Sequence, residues 1–576
     1  MHRFRVWAPR TERVDVLHRG RRLRMSAASG GWFEVAVGDA EPGDDYAFSL
    51  DGGPPRPDPR SPWQPAGIHG PSRLLDHAAF PWTDDTWRGG ALRGAVLYEL
   101  HVGTFTPEGT FEAVIPHLAE LVELGVTAVE VMPVAEFSGD RGWGYDGVDL
   151  FAPHHAYGGP MGLKRLVDAC HARGLAVVLD VVYNHLGPAG NYLSEFGPYF
   201  TDRYATPWGE AVNLDGPDSD PVRAFFLENA TMWLCDYHVD GLRLDAVHAI
   251  VDTSAVHLLE ELAERVDELE AVLGRTLVLI AESDANDPRI VRAREAGGYG
   301  IDGQWSDDFH HALHALLTGE RRGYYADFGS FADLAAALTH VFVNDGRYST
   351  FRRRRHGRPA TGLPGWRFVA YLQNHDQIGN RAGGERMSLL VNERRLKIGA
   401  ALVLTAPYVP LLFQGEEWGA HTPFLYFTDH REPDLGRAVS EGRRREFADF
   451  GWAPEDVPDP QAPETFTRSK LDWTECTRPP HAELLTWHRE LLHLRRHTPA
   501  LADGRVDRVH VRYDDSGGWL LIERDPITIA CNLSAQPATI PLSPGRRTTV
   551  LLASDSTDRV DRDILYLSAE SILILG

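Results

Sequence analysis

The chain holds 576 residues with a formal net charge of −24 at pH 7, 43% of them hydrophobic and 24% charged. That is globular composition, long enough for about two to four domains. So acidic a balance opposes phosphate backbones and anionic lipid, so neither nucleic acid nor membrane is expected as a partner, while neutral ligands such as sugars stay open.

The first residues, MHRFRVWAPR, lack the apolar stretch of a signal peptide, and a cytoplasmic protein is expected. Residues 1–90 carry short alternating runs, FRVWAP, VDVLHR, WFEVAV and YAFSL, set off by Gly, Asp and Pro turns. They predict an N-terminal β-sandwich, of the kind that accompanies carbohydrate-binding chains. The Pro-rich stretch at 52–67 reads as a stiff loop lying against the next domain. From Ala95 apolar runs alternate with helical patterns: AVLYEL, TAVEVM, LAVVLDVV, VDGLRLDAV, TLVLIAE, GIDGQWSD, RFVAYLQ and YVPLLFQ. Between them lie segments such as FEAVIPHLAELVELG and MGLKRLVDACHARG, each closing on a Gly. Buried parallel strands joined by helices predict an α/β fold, and eight such units a (β/α)8 TIM barrel over 91–500, with a doubly wound sheet as the alternative. Residues 186–220 lack helical period and read as an excursion from the barrel rim. The apolar run from Ile398 to Phe413 carries Pro407 and Pro410 and is too short and broken for a membrane span. Strand patterns return at 501–576 (VRYDD, GWLLIERD, ITIACNLS, TTVLLAS) and predict a small antiparallel C-terminal sandwich. Cys170, Cys235, Cys476 and Cys531 form no CxxC and read as lone thiols.

Polar clusters close several apolar runs, at the barrel end where catalytic groups collect. The third run ends in Asp180, Asn184 and His185, the fourth in Arg243, Asp245 and His248, the fifth in Glu282, and the seventh in Asn374, His375 and Asp376. A carboxylate at a strand end commonly caps a helix; four such clusters at successive edges exceed that explanation. Glycoside hydrolysis needs one ionised and one protonated carboxyl beside the bond. Arg243 and Asp245 are two apart on one strand, so they share a face, and the guanidinium favours ionised Asp245, as a nucleophile requires. Glu282 follows a wholly apolar run, which raises its pKa and suits it to be general acid, then base. His375 and Asp376 would grip sugar hydroxyls.

These four segments, DVVYNH, DGLRLDAVH, IAES and QNHDQ, resemble in order the motifs of the α-amylase family of glycoside hydrolases, over about 95–430. The resemblance implies Asp245 as nucleophile, Glu282 as acid/base, Asp376 as transition-state stabiliser, and His185, Arg243 and His375 around the sugar. It places Tyr145 of WGYD as the stacking ring. It also implies retention of anomeric configuration, with the two carboxyls roughly 5–5.5 Å apart. Asn184 ligates calcium in some members; no acidic partner set accompanies it here, so a structural amide, no metal and no cofactor are expected.

The segments HHAYGGP, AESDANDPR, GGYGIDGQWSDDFHHALH and LQNHDQIGNRA narrow the resemblance to the branch of that family that releases trehalose from maltooligosyl trehalose, with Ala285 a departure where a larger apolar residue is expected. The implied partner is this α-glucan, with functional coupling to a synthase that makes it. Leaving-group contacts are then expected from the segment after the sixth run (Trp305, Asp307, Asp308, His311) and from Ser283–Arg289, and His248 is expected among the substrate-binding residues. The alternatives are a branching or debranching α-glucan enzyme and a non-catalytic glucan-binding protein. The run FRRRRHGR at 351–358 reads as an exposed, solvated loop in so acidic a chain.

Overall fold

Eight parallel strands close into a barrel in chain order, and each lies inside one of the eight apolar runs: Leu97–Leu100, Ala128–Val131, Ala176–Val181, Gly241–Leu244, Val278–Ala281, Gly303–Trp305, Phe368–Tyr371 and Val409–Phe413. The computed structural model describes residues 1–449, 453 and 456–576. Side chains alternate across a strand, so inward residues recur every second position. The lower interior is filled by Leu97, Ala128, Val178, Ile280, Trp305, Val369 and Leu411. Two positions further up the first, second and third strands stand Glu99, Glu130 and Asp180, and the register sets Glu130 beside Glu99 and Asp180 beside Arg243. The barrel thus changes from apolar to charged toward its C-terminal mouth.

The helix expected at 111–125 is interrupted at Pro116, whose missing N–H breaks the ladder: Phe111–Val114 is followed by a 3-10 turn, Ile115–His117, and then by Leu118–Leu124. It ends on Gly125 at φ 107°, a left-handed cap that suits glycine. The helix Gly159–His171 covers the other expected segment. The rim excursion is more ordered than its composition suggests, since it folds into a hairpin, Phe200–Thr206 against Gly209–Val212, with Trp208 at the tip.

Two antiparallel sheets precede the barrel. His2–Trp7 pairs with Trp32–Val37, and Val14–His18 with both Arg21–Arg24 and Asp45–Leu50. Phe4, Val6, Val14, Val16 and Phe48 lie in their core. The Pro-rich loop is fastened to the barrel by Arg56–Glu195 at 2.7 Å and Arg60–Glu228 at 2.8 Å. After the barrel, a five-stranded and a three-stranded antiparallel sheet pack through Leu521, Ala530, Ile540, Leu565 and Leu573. Four of their strands go beyond the expected set, among them Ser571–Leu575, which pairs on both sides. The four cysteines are free thiols. Among the described residues, no helix is long and apolar enough to cross a membrane.

Candidate active site

The fourth strand brings Arg243 into the mouth almost fully buried, and one guanidinium joins three carboxylates. Nη1 donates to Asp180 Oδ1 and Oδ2 at 2.9 and 2.8 Å and to Asp245 Oδ1 at 2.9 Å, while Nη2 lies 3.0 Å from Glu282 Oε2. Beneath it the Trp305 ring takes the cation at 4.3 Å from its centroid. Asp245 also accepts from Asn184 Nδ2 at 2.7 Å, and the same amide donates to the Asp245 carbonyl at 2.8 Å. Asn184 in turn orients His185, whose Nδ1 is 2.5 Å from its Oδ1. The backbone N–H of Ala246, held at φ 39°, donates to Glu282 Oε2 at 2.7 Å.

The two carboxyls are pushed in opposite directions. Burial works against ionised Asp245, but Arg243, His185 and the Asn184 amide together hold its pKa below the ordinary carboxylate value. Burial drives Glu282 well above that range; Arg243 opposes the shift, and the negative charges of Asp245 and Asp376 add to it. Glu282 keeps 20% of its side chain open to the cleft, enough to meet a ligand.

Asp245, Glu282, Asp376, Tyr145, His185, Arg243, His248 and His375 all line one cavity of about 370 Å³. A groove of about 480 Å³ between the helices Ser219–Asp236 and Leu258–Leu273 has no aromatic lining and none of these groups. The cavity also takes in Trp143, Trp208 and Tyr426, which the sequence reading left out. Trp208 lies flat on His185, ring centroids 4.6 Å apart at 7°, and stays 47% exposed. Glu99 was missed as well: it accepts from His375 through both the backbone N at 2.9 Å and Nδ1 at 2.5 Å. A lone carboxylate inside the run AVLYEL was the available signal.

The leaving-group residues expected after the sixth strand do not enter the cavity lining. Trp305 is the floor under Arg243. Asp307 is bound by the Tyr371 hydroxyl, and burial pushes it up to about 7. Asp308 is a loop anchor, accepting from Asn286 Nδ2 at 3.0 Å and from the N–H groups of Val343 and Asn344 at 2.7 Å. His311 is buried among Tyr324, Tyr325 and Phe328. The arginine run is not wholly solvated either, because Arg352 reaches Asp284 at 3.0 Å, two residues after Glu282. Elsewhere Glu136, His154 and His155 are close enough together for a metal, but Glu136 is already bound to His155 Nδ1 and N at 2.6 and 2.8 Å.

A barrel mouth that pushes two carboxyls toward opposite protonation in an aromatic-walled cleft defines a class, the glycoside hydrolases. The alpha amylase catalytic domain family matches residues 78–205, and a domain of unknown function, DUF3459, matches 504–574. A malto-oligosyltrehalose trehalohydrolase of Arthrobacter ramosus is 53% identical, and one of Mycobacterium tuberculosis 50%, each over 94% of this chain and 94% of the relative. A crystal structure from Salmonella typhimurium superimposes with a TM-score of 0.92 at 41% identity, covering all of this chain and 97% of that one. The chain belongs to the malto-oligosyltrehalose trehalohydrolase family. A 1,4-alpha-glucan branching enzyme of Salinibacter ruber is more distant, 27% identical over 90% of this chain.

Proposed function

We propose that this protein is a retaining glycoside hydrolase that cuts the α-1,4 bond between a maltooligosaccharide and its terminal trehalose, releasing trehalose. The observation that carries the chemistry is the single guanidinium of Arg243 touching both Asp245 and Glu282 while their protonation is pushed apart. Asp245, ionised, attacks the anomeric carbon; Glu282 gives its proton to the departing glycosidic oxygen. The ester that forms removes the negative charge of Asp245, so Glu282, its proton already given up, stays ionised more easily and can take a proton from the incoming water. Water then displaces Asp245 from the opposite face, the one the leaving group had occupied, and the two inversions retain configuration. Asp376, held by Asn380 Nδ2 at 2.5 Å, stands by the developing positive charge. His375 and the Trp208–His185 stack offer the sugar a donor and a flat face.

Identity near 50% to trehalohydrolases against 27% to a branching enzyme supports trehalose release over branching. Selectivity then rests on His248, which lines the cavity, and on Asp284 two residues after Glu282, which holds His248 at 3.8 Å and Arg352 at 3.0 Å. Such a charged, hydrogen-bonding wall rewards correctly placed hydroxyls. A substrate ending in an α,α-1,1 linkage must come from an enzyme that forms that linkage at a glucan end. The mechanism is tested by NMR of the anomer first formed: α is expected, and an initial β product would remove the nucleophile from Asp245. Asp245→Asn should be inactive in the same assay.

A further inference from the structure

His375 sits in a closed chain of hydrogen bonds that constrains its protons. Its Nδ1 and backbone N face the two oxygens of Glu99 at 2.5 and 2.9 Å, and its Nε2 lies 2.9 Å from the Tyr145 hydroxyl. Tyr145 donates its only proton to Asp180 Oδ2 at 2.6 Å, and Asp180 is itself fixed as an acceptor by two bonds from Arg243. The tyrosine oxygen can therefore only accept from His375, which puts a proton on Nε2. On the other side, one oxygen of Glu99 takes the backbone N–H and the other lies 2.5 Å from Nδ1, the short contact of a charge-assisted bond that needs a proton on Nδ1 as well. Both partners are buried: Glu99 is 1% and His375 3% exposed.

We propose that Glu99 is a positioning residue for the reaction, holding His375 as a doubly protonated imidazole so that its Nε2–H, given to the Tyr145 hydroxyl here, is a charge-assisted donor that a bound sugar hydroxyl can share. The inference rests on the hydrolase reading and deepens it. The groups facing the imidazole agree. Burial disfavours the charged ring, but Glu99 and Asp376 outweigh burial and Arg243, and the pKa of His375 is raised. His101, the nearby second imidazole, is held neutral by burial. Glu130, the register neighbour of Glu99, has no hydrogen-bond partner on either oxygen, and burial keeps it protonated. Glu99 is thus the carboxylate that clasps His375.

Glu99→Gln tests this, because it keeps shape and one acceptor. Its oxygen must take the His375 backbone N–H, leaving an NH2 group against Nδ1, so the ring becomes neutral while the fold is kept. In the intact wild-type chain labelled with 15N in its histidines, with His375 assigned by loss of its signal in His375→Ala, the imidazolium pattern is expected at pH 7.5; in Glu99→Gln, the neutral pattern. A neutral ring in the wild type overturns the proposal, whatever glucan the enzyme cuts. Kinetically, Glu99→Gln should lower kcat/KM at least about fivefold in the wild type but less than about twofold in a His375→Ala background. An equal loss in both backgrounds would mean that Glu99 acts by some route other than His375, and would overturn it.

Discussion

Replacing Arg243 by lysine probes the centre of the account. Lysine keeps the positive charge and can remain over Trp305, but it is a point charge without the planar fork. The native guanidinium makes two bonds to Asp180 and one each to Asp245 and Glu282, all between 2.8 and 3.0 Å. One ammonium cannot reproduce these directions, so at least one carboxylate loses its partner. A hydrogen bond to a charged group is worth about 1.5–3 kcal/mol. Lost at the transition state, that corresponds to a fall in kcat/KM of roughly tenfold to 150-fold. The pH profile should change too. Arg243 holds Asp245 ionised against the cost of burial; with that grip loosened, the nucleophile titrates at higher pH and the acid limb of kcat/KM moves upward. The assay is chromatographic quantification of products from maltooligosyl trehalose between pH 4 and 9. A variant within threefold of the wild type, with its acid limb unmoved, would refute the reasoning.

Glu282→Gln should lower turnover by at least about a hundredfold, since general acid catalysis contributes roughly 10²–10⁴, while calorimetry finds glucan binding little changed; retention of more than about a tenth of wild-type turnover would reassign the acid. Glu416, buried in the turn after the eighth strand, has one oxygen without a partner and a pKa pushed up by burial to about 8. Its folded value lies above the unfolded one, so the stability it contributes is full below about pH 4.5 and is lost as pH rises through 8. Glu416→Gln should therefore gain Tm relative to the wild type between pH 5 and pH 9, and a difference independent of pH would contradict this. Chelation with EDTA should leave Tm and activity unchanged, because the Asn184 Oδ1 that a cation would need faces His185 Nδ1 and its NH2 is taken by Asp245; a loss restored by calcium alone would show that a cation holds this loop.

The barrel was legible because parallel strands covered on both faces read as near-continuous apolar runs, and the structure places one strand in each. The polar groups of the mouth stood out for the same reason: Asp245, Glu282 and Asp376 interrupt or close runs that are otherwise apolar. Glu99 interrupts one too, but its partner His375 lies 276 residues away and nothing local connects them. Trp208 was hidden because its hairpin, TDRYAT against GEAV, is mostly polar and carries little of the alternation of a buried strand. Asp308 looked like a ligand contact, and only the fold shows its carboxylate turned to the N–H groups of Val343 and Asn344. Which side of a helix start a carboxylate serves depends on tertiary neighbours that spacing does not record.

The central claim concerns the bond that is cut, and it is tested most directly by kcat/KM for maltooligosyl trehalose against the plain maltooligosaccharide of equal length. In the proposed reading, the Asp284–Arg352–His248 group, whose His248 lines the cavity, is what the leaving sugar meets. The account predicts free trehalose as product and a preference of at least about tenfold, some 1.4 kcal/mol of differential transition-state binding. Equal values for the two substrates, or branched product from amylose, would contradict it while leaving the barrel and its paired carboxylates in place.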